Sequence, residues 1–248
     1  MSHELFHGLT AMVVGGNWER FSVWAVQTSL PDGIADPLWR EGLIKGLAAP
    51  LNILLAVACA ILLRCRLSSS VHMVLFYIAA YCGFLGFGYL FIDPLFANEE
   101  SAGDWARVTM LLGGHWWVRF PIIACGIAGT IFGYFWVGSA ANRMLAHPTE
   151  SRRDRIRNGF LICVMPYIAN NLIFSVLALQ HPLGAKGFFI SLSQYWLGYC
   201  GLVWAFLIKF VWSLPDSAPD RESLVPQTVQ APMVIMATMI YIAIVVCL

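Results

Sequence analysis

GLAAPLNILLAVACAILL, residues 46–63, runs for eighteen positions without one charged side chain. The hydrocarbon core of a bilayer takes about 20 apolar residues of helix, so this stretch reads as a transmembrane span that Arg64 and Arg66 terminate. Working outward, the same pattern recurs at 71–92, 116–137, 159–180, 187–212 and 231–248. Composition agrees. The chain is 59% hydrophobic and 12% charged, whereas a soluble domain carries about 25% charge, and its mean hydropathy is +0.70. The expectation is an all-α polytopic membrane protein, a single integral domain over 1–248 with about six transmembrane helices, lodged in the cell membrane with the lipid bilayer as its surroundings. A net charge of +1 and the lack of a basic, aromatic-interleaved patch argue against nucleic acid as a partner. The seven cysteines (59, 65, 82, 125, 163, 200 and 247) form no CxxC pair and read as small buried hydrophobes.

Upstream of the first span lies His3-Glu4-Leu5-Phe6-His7, an HExxH signature. Positions i and i+4 of a helix share one face, so His3 and His7 point at one ion, zinc being the usual occupant. Glu4 stands on the adjoining face, where a general base belongs. Ionisable groups leading into an apolar run, here 8–14, are costly without a function. The run ends at Gly15-Gly16. A helix over 1–14 is too short to span a bilayer; it either dips into the membrane or is the second half of a span that starts upstream. No basic n-region precedes it, so no cleavable signal peptide is expected. Residues 17–42 read as a small membrane-associated hairpin: 21–26 alternates weakly and Pro31-Asp32-Gly33 is a turn signal. Asp93-Pro94 is read as ending the second span, followed by an acidic loop over 96–103. Asp104 then takes an N-cap-like position at the start of a new helix, which Gly113-Gly114 interrupts. A polar, proline-containing linker covers 213–230.

HELFHGLTAMVVGG at 3–16 followed by GLAAPLNILLA at 46–56 resembles the site-2-protease class of intramembrane zinc metalloproteases. There an HExxH helix, a Gly-Gly break and a membrane-associated hairpin precede a span opening with an A-G-P-x-x-N-like motif. Ala48-Ala49-Pro50-Leu51-Asn52 is similar, with Ala for Gly and one residue fewer. The class draws its third ligand from an Asp in a Leu-Asp-Gly sequence at a helix break two spans later; the matching segment is Gly103-Asp104-Trp105, without the Leu and the Gly. The resemblance covers roughly residues 1–112, which would be a metallopeptidase-like core, with 113–248 supplying additional transmembrane helices. It implies zinc held by His3, His7 and Asp104, Glu4 as catalytic base, and hydrolysis of peptide bonds in or near transmembrane segments of other membrane proteins. Beside the resemblance, Asn52 reads either as supporting the site by hydrogen-bonding the hairpin or substrate backbone or as a buried Asn satisfying a neighbouring helix, and Asn98 is a candidate for stabilising an oxyanion.

Other readings stand beside this one. Asp93 is the rival third ligand, against a role at a helix end. His115, before Trp116-Trp117, reads as interfacial, as do His72 and His181 at span ends. Because these three form no clear pair, a bis-histidine haem protein ranks below a non-proteolytic scaffold or transporter that retains a metallopeptidase-like fold. Asn170-Asn171 in mid-span reads as interhelical glue.

If every span crosses, Arg64, Arg66, Arg143, Arg152, Arg153, Arg155, Arg157, Lys209 and Arg221 share one side, against Arg20, Arg40, Lys45, Arg107 and Lys186 on the other. Positive charge in short loops marks the cytoplasmic face. A cysteine at position 154 is therefore expected to resist a membrane-impermeant thiol reagent in intact cells and to react after lysis; reaction from outside reverses the orientation.

Overall fold

The computed structural model describes residues 2–21, 26–65, 67–98, 103–145, 151–179, 184–185, 188–189, 192, 196 and 200–212. Of the sequence expectations, the linker over 213–230, the span over 231–248 and His181 lie outside the described residues, and the span over 187–212 is described only in part. Helix α1 (Ser2–Val13) leads into strands β1 (Asn17–Phe21) and β2 (Val26–Ser29). Helices α2 (Pro37–Leu62), α3 (Ser69–Leu95), α4 (Asp104–Leu111), α5 (Trp116–Leu145), α6 (Arg152–Ala178) and α7 (Gly201–Trp212) follow. The sheet is one antiparallel pair, with Asn17 opposite Ser29 and Phe21 opposite Val26. Helices α2, α3, α5 and α6 are long and apolar enough to cross a membrane, so the class is an all-α membrane protein.

Several boundaries depart from the sequence expectation for physical reasons. The hairpin closes by Ser29 rather than filling 17–42, and α2 starts at Pro37 because its first turns are a polar extension of the apolar span. That extension carries Glu41, which pairs with Arg107 of α4 (Nε to Oε1 2.9 Å), and Lys45, which pairs with Asp104. Nor does Asp93-Pro94 break α3. A proline removes its own N–H and crowds the carbonyl four residues back, yet the Phe96 N–H still reaches the Ile92 carbonyl at 3.3 Å and the helix runs to Leu95. Asp104 is the first helical residue of α4, while Gly103 is the N-cap and offers no side chain to it. The turn after α4 does fall at Gly113 and Gly114, with φ of +94° and +67°, a backbone that glycine adopts without steric cost. Arg119 fastens this turn by donating to the Gly114 and Ala97 carbonyls, both at 2.8 Å.

The described residues fall into two compact units. Among those residues, one unit draws on 2–57 and 82–130, the other on 58–81 and 131–212. In the first, α1 lies on the hairpin so closely that a Cβ at Gly8 would meet the Trp18 ring at 2.6 Å. The C-terminal half of α3 is seated between neighbours through glycines. A Cβ at Gly86 would fall 2.8 Å from the Ala49 carbonyl oxygen of α2, and one at Gly126 of α5 would fall 2.5 Å from Phe91 N and 2.8 Å from Leu90 C. Small residues permit this backbone approach, from which helix association in lipid draws its dispersion energy. In the second unit, α6 contains a π-helical stretch at Phe160–Val164, and the Tyr77 hydroxyl donates to the Ile162 carbonyl at 3.0 Å. Asn170 and Asn171 are buried there. The Asn171 amide finds no hydrogen-bond partner among the described residues, so the expected interhelical bond from it is not made among them.

The atoms that Gly126 faces are backbone and have no alternative rotamer. Gly126→Val is expected to cost about 1–3 kcal/mol, the usual range for overpacking, and to lower the thermal midpoint in detergent. Gly88→Ala, whose Cβ meets nothing within 4 Å, is the control and should leave the midpoint unchanged or raised; equal behaviour of the two variants would contradict the packing.

Candidate metal centre

The HExxH turn folds as an α-helix, and this places His3 and His7 one above the other with ring centroids 4.6 Å apart and planes at 87°. Both are buried, 2% and 4% exposed. Their Nε2 atoms are 3.1 Å apart. Asp104, a hundred residues along the chain, brings Oδ2 to 2.9 Å from Nε2 of His3 and 2.8 Å from Nε2 of His7. Its other oxygen, Oδ1, is 3.0 Å from the Lys45 ammonium. The outer ends of both rings are also engaged. His7 Nδ1 donates to the Ile44 carbonyl at 2.6 Å. His3 Nδ1 faces Asn52 Nδ2 at 3.2 Å, and the His3 ring is stacked on Tyr89 with centroids 4.1 Å apart.

Asp104 is positioned by a carboxylate that is not itself part of the group. Asp93 of α3 accepts the Trp105 N–H at 3.0 Å, doing for the first turn of α4 what a capping side chain ordinarily does. Gly103 must be small for this, since a Cβ there would lie 2.8 Å from the Asp93 Cγ. Of the two rival carboxylates, then, Asp104 reaches the imidazoles and Asp93 holds the helix that carries it.

The candidates named from sequence are distributed unevenly. His3, His7 and Asp104 converge, and Asn52, fully buried, touches His3. Glu4 is half-buried beside them, its Oε2 accepting the Val26 N–H of β2 at 3.0 Å. Asn98 is exposed just past the end of α3. His115 stacks on Trp117 at 5.8 Å. His72, in the first turn of α3, is buried, with Nδ1 donating to the Ser68 carbonyl at 3.2 Å. Lys45, Tyr89 and the capping role of Asp93 were missed. Lys45 reads in sequence as a charge at a span end, and Tyr89 as one aromatic in an apolar run; only the spacing of Tyr89 and Asp93, i and i+4 on α3, hints that both face one neighbour.

The donor set fits zinc, whose ordinary ligands are imidazole nitrogen and carboxylate oxygen. Tetrahedral bonds of about 2.0–2.2 Å separate ligand atoms by about 3.3–3.6 Å, so the three atoms, 2.8–3.1 Å apart here, need to spread by only a few tenths of an ångström. The Ile44 carbonyl on His7 Nδ1 is a second-sphere acceptor of the kind that metal-binding histidines use; the Asn52 amide nitrogen facing His3 Nδ1 is a donor. No family model, curated protein or solved structure matches the chain.

Burial drives the His3 pKa below the ordinary 6.5, outweighing the hydrogen bond to Asp104. Burial opposes charge on His7 too, but the hydrogen bond and charge of Asp104 win and raise it. Asp104 would be raised by burial, yet the two imidazoles and Lys45 hold it well below the usual carboxylate range. The signs give a pH profile for metal-free protein. A lowered His3 costs stability as pH falls below about 6.5, because only the unfolded chain takes up the proton. A raised His7 contributes stability that is present below about 6.5 and lost as pH rises through its higher folded value. Asp104 stays ionised across this window. The His7 contribution should therefore appear as a decline in thermal stability above neutral pH in chelator-treated detergent solution. Asp104→Asn should remove the alkaline decline, and its persistence in that variant would disprove the His7–Asp104 coupling.

Proposed function

We propose that the chain is an intramembrane zinc metallopeptidase that hydrolyses peptide bonds in or near transmembrane segments of other membrane proteins. The observation carrying this reading is the convergence of His3, His7 and Asp104 within one apolar unit, each ligand atom within 4.8 Å of the others, with the Glu4 carboxylate on the same helix. Four described helices, together with the apolar stretches at 187–212 and 231–248, make six crossings of the cell membrane.

Bound by His3, His7 and Asp104, zinc supplies Lewis acidity toward water and a peptide carbonyl. Lys45 keeps Asp104 Oδ1 occupied and leaves Oδ2 as the donor atom. The Ile44 carbonyl orients His7. Glu4 takes a proton from the attacking water at a carboxylate oxygen and delivers it to the leaving amine. Its Oε2 is paired with the Val26 N–H, which leaves Oε1 to take the proton. The hairpin receives the unwound substrate as an added strand, whose backbone N–H and C=O groups would otherwise go unsatisfied in lipid.

That pairing of Glu4 with Val26 is also the one observation favouring a second reading, a non-proteolytic scaffold or transporter that keeps the metal while Glu4 serves as a strut for the hairpin. Three variants separate the readings. Glu4→Gln is expected to retain zinc at wild-type stoichiometry while cleavage of a panel of single-span substrates falls by about 10²–10⁴; His3→Ala and His7→Ala should lose zinc and turnover together. Undiminished cleavage by Glu4→Gln rules out the peptidase mechanism, and a zinc-loaded wild type that cleaves nothing on the panel supports the scaffold.

A further inference from the structure

The metal centre lies toward one end of the spans, and α2 and α3 independently give it a similar depth. We infer that it stands at the boundary between headgroups and hydrocarbon, and that the bond it cleaves lies in the terminal turn of a substrate's transmembrane helix rather than in mid-span. The placement rests on the ligand cluster alone, whereas the substrate class rests also on the peptidase reading.

On α2, Lys45 is the last charge before the uncharged run 46–63. That run rises about 27 Å, close to the roughly 30 Å of a hydrocarbon core, so the boundary falls at Lys45. The Ile44 carbonyl meets His7 and Asn52 meets His3. The cluster is therefore level with 44–52 and centred about 5 Å inside the boundary, against about 15 Å for the midplane. The charges around it are exposed. The Lys45 side chain, on Asp104, is 40% exposed, and Glu41 and Arg107, each within a turn of one of those two residues, pair at 34% and 45%. Exposed charge is costly at the centre of a bilayer. Snorkelling does not account for Lys45, because its ammonium is turned onto Asp104 at 3.0 Å; charge and ligand share one level.

On α3, Tyr89 stacks on His3, and the helix ends at Leu95 with Phe96 exposed just beyond. Arg119 of α5 donates to the Ala97 carbonyl, which brings the exposed Trp116 and Trp117 at the start of α5 to this end. With exposed Trp39 on α2, they form the kind of aromatic belt that lies at headgroup level. From Tyr89 to Phe96 the rise is about 10 Å, which again sets the cluster near the belt. A substrate helix opens most readily at this depth. Its last turn already holds backbone groups without an intrahelical partner, whereas unwinding in mid-span strands N–H and C=O groups in lipid. Water reaches the cluster from the face on which Lys45 is exposed. Hydrolysis adds that water across one amide bond and leaves a carboxylate and an amine, and at the boundary both charged ends meet solvent at once.

The full-length protein in proteoliposomes, loaded with Cu²⁺, tests the placement, since imidazole ligands hold that ion at least as firmly as zinc. Nitroxide lipids labelled at the headgroup, high on the acyl chain or at its methyl end report their distance from the copper by relaxation enhancement. The enhancement is expected to be larger for the first two labels than for the methyl end, and to vanish in His3→Ala. A maximum at the methyl end overturns the placement. No copper-dependent enhancement of any label refutes the metal site and the inference with it. The substrate class is read with zinc-loaded protein and single-span substrates in which one cleavable sequence is moved turn by turn along the span. Cleavage in the terminal turn is expected to exceed mid-span cleavage by about tenfold or more, because each polar group stranded in lipid costs at least that factor. Faster cleavage in mid-span overturns the substrate class and leaves the peptidase standing. No cleavage at any position, with copper found at the boundary, refutes the peptidase and upholds the placement, so the two failures are distinguishable.

Discussion

A single carboxylate oxygen, Oδ2 of Asp104, receives both imidazoles of α1 in a largely apolar unit, and much of the local architecture answers the electrostatic problem this creates. A buried carboxylate is severely penalised unless it is paired and hydrogen-bonded. Here the pairing comes from three sides: His3 and His7 from α1, and Lys45 from the polar first turns of α2. Those turns extend α2 beyond its apolar span for this reason, and Glu41 on the same extension engages Arg107 of α4. That second pair is exposed and contributes little energy by itself. Its geometric effect is to hold α4 against α2, so that the carboxylate stays where its partners are.

The hairpin belongs to the same arrangement. Trp18 lies on the backbone of α1 at Gly8, and Val26 donates to Glu4, so both strands of the hairpin hold the helix that bears the motif. Arg40 joins the end of α1 to the start of α2 by donating to the Val14 and Ala35 carbonyls. A helix of twelve residues is short to be stable in isolation; this one is bounded on its hairpin side, at its C-terminus and at its histidine face.

What could be read from sequence followed from periodicity and fixed spacing. Spans announced themselves by uncharged length, and His3 and His7 by i, i+4 geometry. Asp104 was legible as a carboxylate opening a helix at the right remove. The contacts that could not be read all depend on long-range register. Lys45 resembles any charge at a membrane boundary until α4 is placed beside it. The capping of α4 by Asp93 is invisible locally, because the helix's own N-cap is a glycine with no side chain to recognise. Helix ends were misjudged where a local signal, Pro94, was weaker than the ladder of bonds continuing past it. Asn98 was chosen on residue type alone, and it is exposed just past the end of α3.

Tyr89 and Asp93 are one turn apart on α3, separated by about 6 Å of rise. The first stacks on His3 and the second secures the start of α4, so a helix that contributes no ligand spans the interval between the imidazoles and the carboxylate. Glycine contacts lock that helix on both flanks, which makes it a gauge block: the separation of the two halves of the cluster is copied from the pitch of a rod. Any force that tilts or slides α3, whether a change in bilayer thickness or a partner leaning on its outer face, reaches both halves at once and alters the bite available to an ion without touching a ligand.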